Sequence, residues 1–197
     1  MQSRGVILSL LVLIALLGCV NQPPAASAPQ APAQGLGLIS APAGLSGYNN
    51  FEYGVAMNYP TGWTKDESSP ALIVAFSPPG AASDGFTENV GLTMQDLRER
   101  PMTLEDYTAL TLQELPTVLQ DFSLLDSKPA MLGSLPAHQL VYTMTLQDGT
   151  PVKALQVYAT RKDIIYSLVY INKPAEFAAA EASAQAIINS FQVTKDV

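Results

Sequence analysis

The sequence predicts an α+β domain in which a sheet is covered by helices on both faces. Three observations lead there. The run "IIYSLVYI", Ile164 to Ile171, is apolar on both of its faces; a hairpin precedes it directly; and two segments carry apolar residues every three or four positions. A strand with no polar face needs cover on both sides. Two amphipathic helices can supply it, which makes a layered sandwich.

Taken in order, the first strand signal is Val55, Met57 and Tyr59 alternating with Ala56 and Asn58. Pro60 and Gly62 then turn the chain, and Trp63 is placed to fold back over the sheet edge as an apolar plug. Leu72 to Phe76 is a short apolar run between proline-marked loops. Val90, Leu92 and Met94 alternate with Gly91, Thr93 and Gln95, the period of two of a strand with one apolar face.

Thr103 to Asp106 has the spacing of a capping box. The helix it opens carries Leu104, Tyr107, Leu110 and Thr111 on one face until Pro116 interrupts it. Next comes the hairpin: Leu140, Tyr142, Met144 and Leu146 share a face, Asp148-Gly149 supplies the turn, and Val152 to Thr160 returns. Arg161 to Asp163 turn the chain into the apolar run. The last helix starts at Pro174, a favoured first-turn residue, and stripes Phe177, Ala180, Ala184, Ile187, Ile188 and Phe191 toward the core.

The N-terminus has a different character. Met1 to Arg4 are short and singly basic, and Gly5 to Gly18 form an uncharged apolar run of signal-peptide length. A spanning helix needs about 20 apolar residues. Cys19, the sole cysteine, follows Leu16, Leu17 and Gly18. A small residue directly before cysteine, with leucines ahead of it, resembles the lipobox of prokaryotic lipoproteins. That resemblance implies diacylglycerol on the Cys19 thiol and cleavage on its N-terminal side. The competing readings are a buried free cysteine or secretory cleavage between Ala25 and Ala28. Two acyl chains anchor a protein stably where one does so only marginally, so a diacylated Cys19 needs no transmembrane helix. It also leaves no thiol for a disulfide or for catalysis.

Residues 1–18 therefore read as a lipoprotein signal peptide, 19–47 as the lipidated cysteine with an Ala/Pro-rich linker, and 48–197 as one folded domain. Val20 to Gly47 contain no charged residue, and such a stretch buries too little to repay its ordering entropy. The net charge of -7 is the wrong sign for nucleic acid and for a polybasic contact with anionic lipid.

"FEYGVAMNYPTGW", Phe51 to Trp63, resembles the opening hairpin of the PsbP family, whose domains begin with an aromatic-Gly-hydrophobic pattern leading to Tyr-Pro-x-Gly-Trp. "FTENVGLTMQDL" (Phe86 to Leu97), "TLEDY" (Thr103 to Tyr107), "LGSLPAHQLVYT" (Leu132 to Thr143) and "IINSF" (Ile187 to Phe191) follow in the family's order. The resemblance implies an antiparallel sheet flanked by helices, the α/β/α sandwich of PsbP/Mog1-like proteins. In plants and cyanobacteria it also implies an extrinsic role at photosystem II, partly through calcium and chloride retention. PsbP-like lipoproteins in non-photosynthetic bacteria and archaea have no such role, so the family transfers fold more securely than function.

Catalytic groups are sparse. His138 is the sole histidine and no Gly-x-Ser-x-Gly elbow is present, so a nucleophile lacks an activating base. There is no EF-hand loop, no histidine pair and no Walker lysine. Asp84 and Glu88, or Asp96 and Glu99, are the carboxylates that could hold calcium on loops, against the plainer role of solvating an acidic surface. No catalytic residue and no obligatory cofactor is expected. The expected function is that of a non-catalytic lipid-anchored module outside the cytoplasm, at the periplasm or cell surface, binding a membrane protein complex. The alternative is a lipoprotein that binds a divalent cation, calcium above all, or a small ligand.

Overall fold

Ile164–Asn172 is a strand buried at all nine of its positions, and the domain is arranged around it. The computed structural model describes residues 41–80 and 86–195. In chain order the elements are β1 (Leu45–Asn50), β2 (Val55–Pro60), β3 (Thr64–Asp66), β4 (Val74–Ser77), β5 (Asn89–Asp96), α1 (Leu104–Val118), β6 (Gln120–Leu132), β7 (Leu135–Thr145), β8 (Pro151–Arg161), β9 (Ile164–Asn172), α2 (Phe177–Asn189) and β10 (Gln192–Val193). Among the described residues these strands make a seven-stranded sheet, ordered β3-β4-β5-β9-β8-β7-β6, and a three-stranded sheet, ordered β1-β2-β10. Every pairing is antiparallel.

The central place of β9, between β5 and β8, explains why "IIYSLVYI" has no polar face. Tyr166, Leu168 and Tyr170 join Leu155, Val157 and Ala159 of β8 in one core with Phe177, Ala184, Ile187 and Ile188 of α2. Their sequence neighbours Ile165, Val169 and Ile171, with Ala154 and Tyr158, join Tyr107 and Leu115 of α1 in another. The strand period of two thus divides β8 and β9 between two cores. The first core also contains Tyr48, Val55 and Met57 of the small sheet, so α2 shares its side with three strands. The sequence reading contains no second sheet, because its third strand is only Gln192–Val193, paired with Ala56 and Val55 far back in the chain.

Local signals act as expected at most turns. Thr103 caps α1 by accepting from the Asp106 amide at 3.1 Å, and Asp148 accepts from the Thr150 amide at 2.9 Å in the hairpin turn. Tyr59 stacks on Phe76 with ring centroids 4.6 Å apart, and Trp63 packs partly buried on the same core. Pro116 does not end its helix. It removes one backbone bond, but α1 closes past it, with Leu119 donating to the Leu115 carbonyl at 2.9 Å. Pro174 does not start α2 either: it lies in a preceding turn, closed by Glu176 donating to the Lys173 carbonyl at 3.0 Å. At the N-terminal boundary, β1 takes in Leu45 to Gly47, which the composition assigns to the linker, because pairing with Asn58, Tyr59 and Pro60 orders them.

Candidate functional site

Cys19 and Asp84 lie outside the described residues. Of the other carboxylates singled out in the sequence, Glu88 stands before the first residue of β5, while Asp96 is its last and Glu99 lies in the loop beyond. At about 3.3 Å per residue, β5 holds Glu88 far from Asp96 and Glu99, which form the other pair. Asp96 is occupied by Arg98, whose side-chain Nε and backbone amide both donate to Oδ1 at 2.9 Å. That guanidinium holds the Asp96 carboxyl down at about 2. Among the described residues no cluster of three or more His, Cys, Asp or Glu could hold a metal ion.

Glu88 belongs to a different arrangement. The Tyr170 hydroxyl lies 2.7 Å from Glu88 Oε1 and 2.9 Å from the Phe177 carbonyl, while Asn172 Nδ2 reaches the same hydroxyl at 3.3 Å and the Glu176 carbonyl at 3.2 Å. A phenol carries one proton and cannot donate to two acceptors at once. If Glu88 is protonated, it donates to Tyr170 and Tyr170 donates to the first residue of α2, and every group is satisfied. Burial raises the Glu88 pKa first; the Tyr170 hydrogen bond opposes this and the charge of Glu176 adds to it, for a net rise. Glu67 is the contrast. It too accepts from a tyrosine, Tyr48, at 2.8 Å; burial raises its pKa, but bonds from Lys65 and Tyr48 outweigh that and the net shift is downward.

The sign of the Glu88 shift sets a pH dependence. A carboxyl whose folded pKa lies above its ordinary 4.5 contributes stability below that value and loses it as pH rises through the folded pKa. Glu181 faces Tyr170 as a second negative charge, and Lys153 lies over the Phe177 ring as the cation. Glu88→Gln, a permanent stand-in for the protonated acid, is expected to be at least as stable as the parent at pH 7. Denaturant titrations from pH 4.5 to 7 should show the parent losing stability relative to the variant; parallel curves would refute the assignment.

His138 lies within β7. Its Nε2 is 2.9 Å from Ser127 Oγ, a serine-histidine contact on neighbouring strands. Burial lowers the His138 pKa.

The feature that pattern reasoning missed is β6. This 13-residue strand is the outer edge of the large sheet, paired on one side to β7. Leu124, Leu125 and Met131 on it are 41%, 55% and 50% exposed. Open edges invite indiscriminate strand pairing, and β6 carries devices against it. Its register shifts between Gln120 and Ser123 and again between Leu124 and Asp126, and Asp121 adopts a φ of 53°. Pro129 opposes His138. Counted from the Leu132–Leu135 pair that closes the turn, this is a non-bonded position, so the missing N–H falls on the open side. The edge presents apolar side chains and withholds a continuous backbone ladder.

The family described as PsbP-like protein matches over residues 6–193. None of the curated proteins matches the chain in sequence. Among solved structures, the fold is similar to cyanobacterial PsbP (CyanoP) from Synechocystis sp. PCC 6803, with a TM-score of 0.55 and 16% identity over 83% of this chain and 99% of that one. It is also similar to LpqN, involved in cell envelope biogenesis of Mycobacterium tuberculosis, with a TM-score of 0.58 and 15% identity over 72% of this chain and 83% of that one. Likeness at such identity speaks for fold alone.

Proposed function

The chain belongs to the PsbP-like protein family, and from that premise we propose that it works outside the cytoplasm as a non-catalytic module, held to a membrane by a diacylated Cys19, that docks on a membrane-associated protein complex. The domain is an α/β/α sandwich in this reading. The division of β8 and β9 between an α1 core and an α2 core supports it. No helix among the described residues is long and apolar enough to cross a membrane, so in this reading attachment rests on the acyl chains of Cys19.

One observation carries the docking role: the open β6 edge with Leu124, Leu125 and Met131 exposed on it. Large apolar side chains in solvent gain by being covered, and the proline and register shifts limit the cover to a partner whose side chains fit. A photo-crosslinker placed at Leu125 is expected to give a discrete adduct in native membranes. The same probe at Glu52, exposed in the β1–β2 turn, is expected to give none. Identical products from both positions would contradict the role of β6.

A further inference from the structure

Thioether sulfur is among the side-chain atoms that oxidants attack most readily, and exposure decides which sulfur they reach. Met57 and Met144 are buried, at 0% and 2% exposed. Met94 packs partly buried against the α2 core and Met102 against the α1 core. Met131 is 50% exposed, the one exposed methionine among the described residues.

Its place in β6 gives that exposure a consequence. Met131 stands opposite Pro136 of β7, and its neighbours Ala130 and Leu132 pair with Ala137 and Leu135 on the side of the α2 core. The register is unbroken from Asp126 to Leu132, so strand alternation puts Met131 on the other face. An oxygen added there meets water and leaves the α2 core undisturbed. Along β7, Pro136, His138, Leu140 and Tyr142 share one face, on which Leu140 and Tyr142 belong to the α1 core. Met131 opposite Pro136 and Leu124 opposite Tyr142 are therefore exposed on the same side of the open edge, about 20 Å apart.

We propose that Met131 is an oxidation site for hydrogen peroxide, and that its sulfoxide weakens docking at the β6 edge. The regulatory half rests on the docking reading above; the site itself does not. The sulfur lone pair attacks one peroxide oxygen, the O–O bond breaks, and the departing hydroxide takes the proton of the transferred oxygen and leaves as water. Sulfur is oxidised by two electrons and the peroxide is reduced by two. A flexible apolar group becomes a polar, chiral one. A partner that covers Met131 then loses apolar contact and has to desolvate the sulfoxide oxygen. A dithiol-dependent sulfoxide reductase restores the thioether, giving water and a disulfide.

Peptide mass mapping of the full chain after timed exposure to hydrogen peroxide tests the site. Met131 is expected to gain one oxygen at least about tenfold faster than Met57 and Met144, while the thermal midpoint stays in place. Equal rates at the three, or a midpoint that falls in step with Met131 oxidation, would overturn it. The crosslinker at Leu125 reads the regulation, with purified chain added to native membranes. Its adduct should fall about tenfold when the chain is oxidised first, return after sulfoxide reductase and dithiothreitol, and persist through oxidation in Met131→Leu. An adduct that survives oxidation of the parent, or one lost equally in Met131→Leu, would overturn the regulation. No adduct from the untreated parent would contradict docking at β6 and the regulation with it, while the mapping still decides the oxidation site.

Discussion

Gly133→Ala is expected to destabilise the domain by about 3 kcal/mol or more, lowering the thermal midpoint by roughly 6 to 12 °C. Gly133 occupies the two-residue turn between β6 and β7 with a φ of +56°, and a Cβ there would sit 1.8 Å from the Phe191 carbonyl oxygen and 2.9 Å from its carbon. Both atoms are backbone, so no side-chain rotation relieves the contact. The turn is also tied to α2 by the Gly133 amide donating to Ile188. Gly149 supplies the control. Its φ is +87° but nothing lies within 4 Å of its added Cβ, so Gly149→Ala should cost only the conformational part, about 1 to 2 kcal/mol. Equal losses in the two variants by urea denaturation would contradict the close approach of the hairpin to α2.

Phe177→Ala is expected to cost about 3 to 5 kcal/mol. Phe177, 1% exposed, is the first residue of α2 and shares a core with Ala184, Ile187 and Ile188. Its ring centroid lies 4.7 Å from that of Tyr170, and Lys153 Nζ stands over the ring, 4.2 Å from its centroid. The cation adds about 0.5 to 1 kcal/mol at such a site. Phe177→Leu keeps most of the buried volume and should lose markedly less, since volume-conserving swaps cost under about 1.5 kcal/mol. A loss below about 1 kcal/mol for Phe177→Ala would mean that α2 does not depend on this anchor.

The parts of the fold legible in the sequence are those whose burial is set by near neighbours. β9 announces itself because both faces are apolar, the β7–β8 hairpin because Asp148-Gly149 separates two alternating runs, and α1 because Thr103 caps it. β6 has no such text. One side of it is open, so Leu124, Leu125 and Met131 face solvent, two register shifts break its period, and Pro129 reads as a breaker although it falls on the unpaired edge. β1 is equally silent, since Ser46 and Gly47 carry no apolar pattern and are ordered only by β2.

The candidate sites depend still more on distant pairings. Glu88 stood out in the sequence as an exposed carboxylate, yet its place is decided by Tyr170, 82 positions away. Asp96 and Glu99, the other pair of carboxylates, stand at the far end of β5 from Glu88. Strand order in the large sheet and the return of β10 to β2 bring such groups to their partners, and no local pattern encodes either.

The central claim is that the tethered domain serves a membrane-associated complex. Quantitative cross-linking and pull-down from native membranes, comparing the parent with Cys19→Ser, tests it most directly. The account predicts a discrete complex, recovered with the parent, that falls at least about tenfold when the anchor is removed, because the tether raises the local concentration of the domain. Recovery of nothing specific with either form, or the same recovery from both, would contradict it.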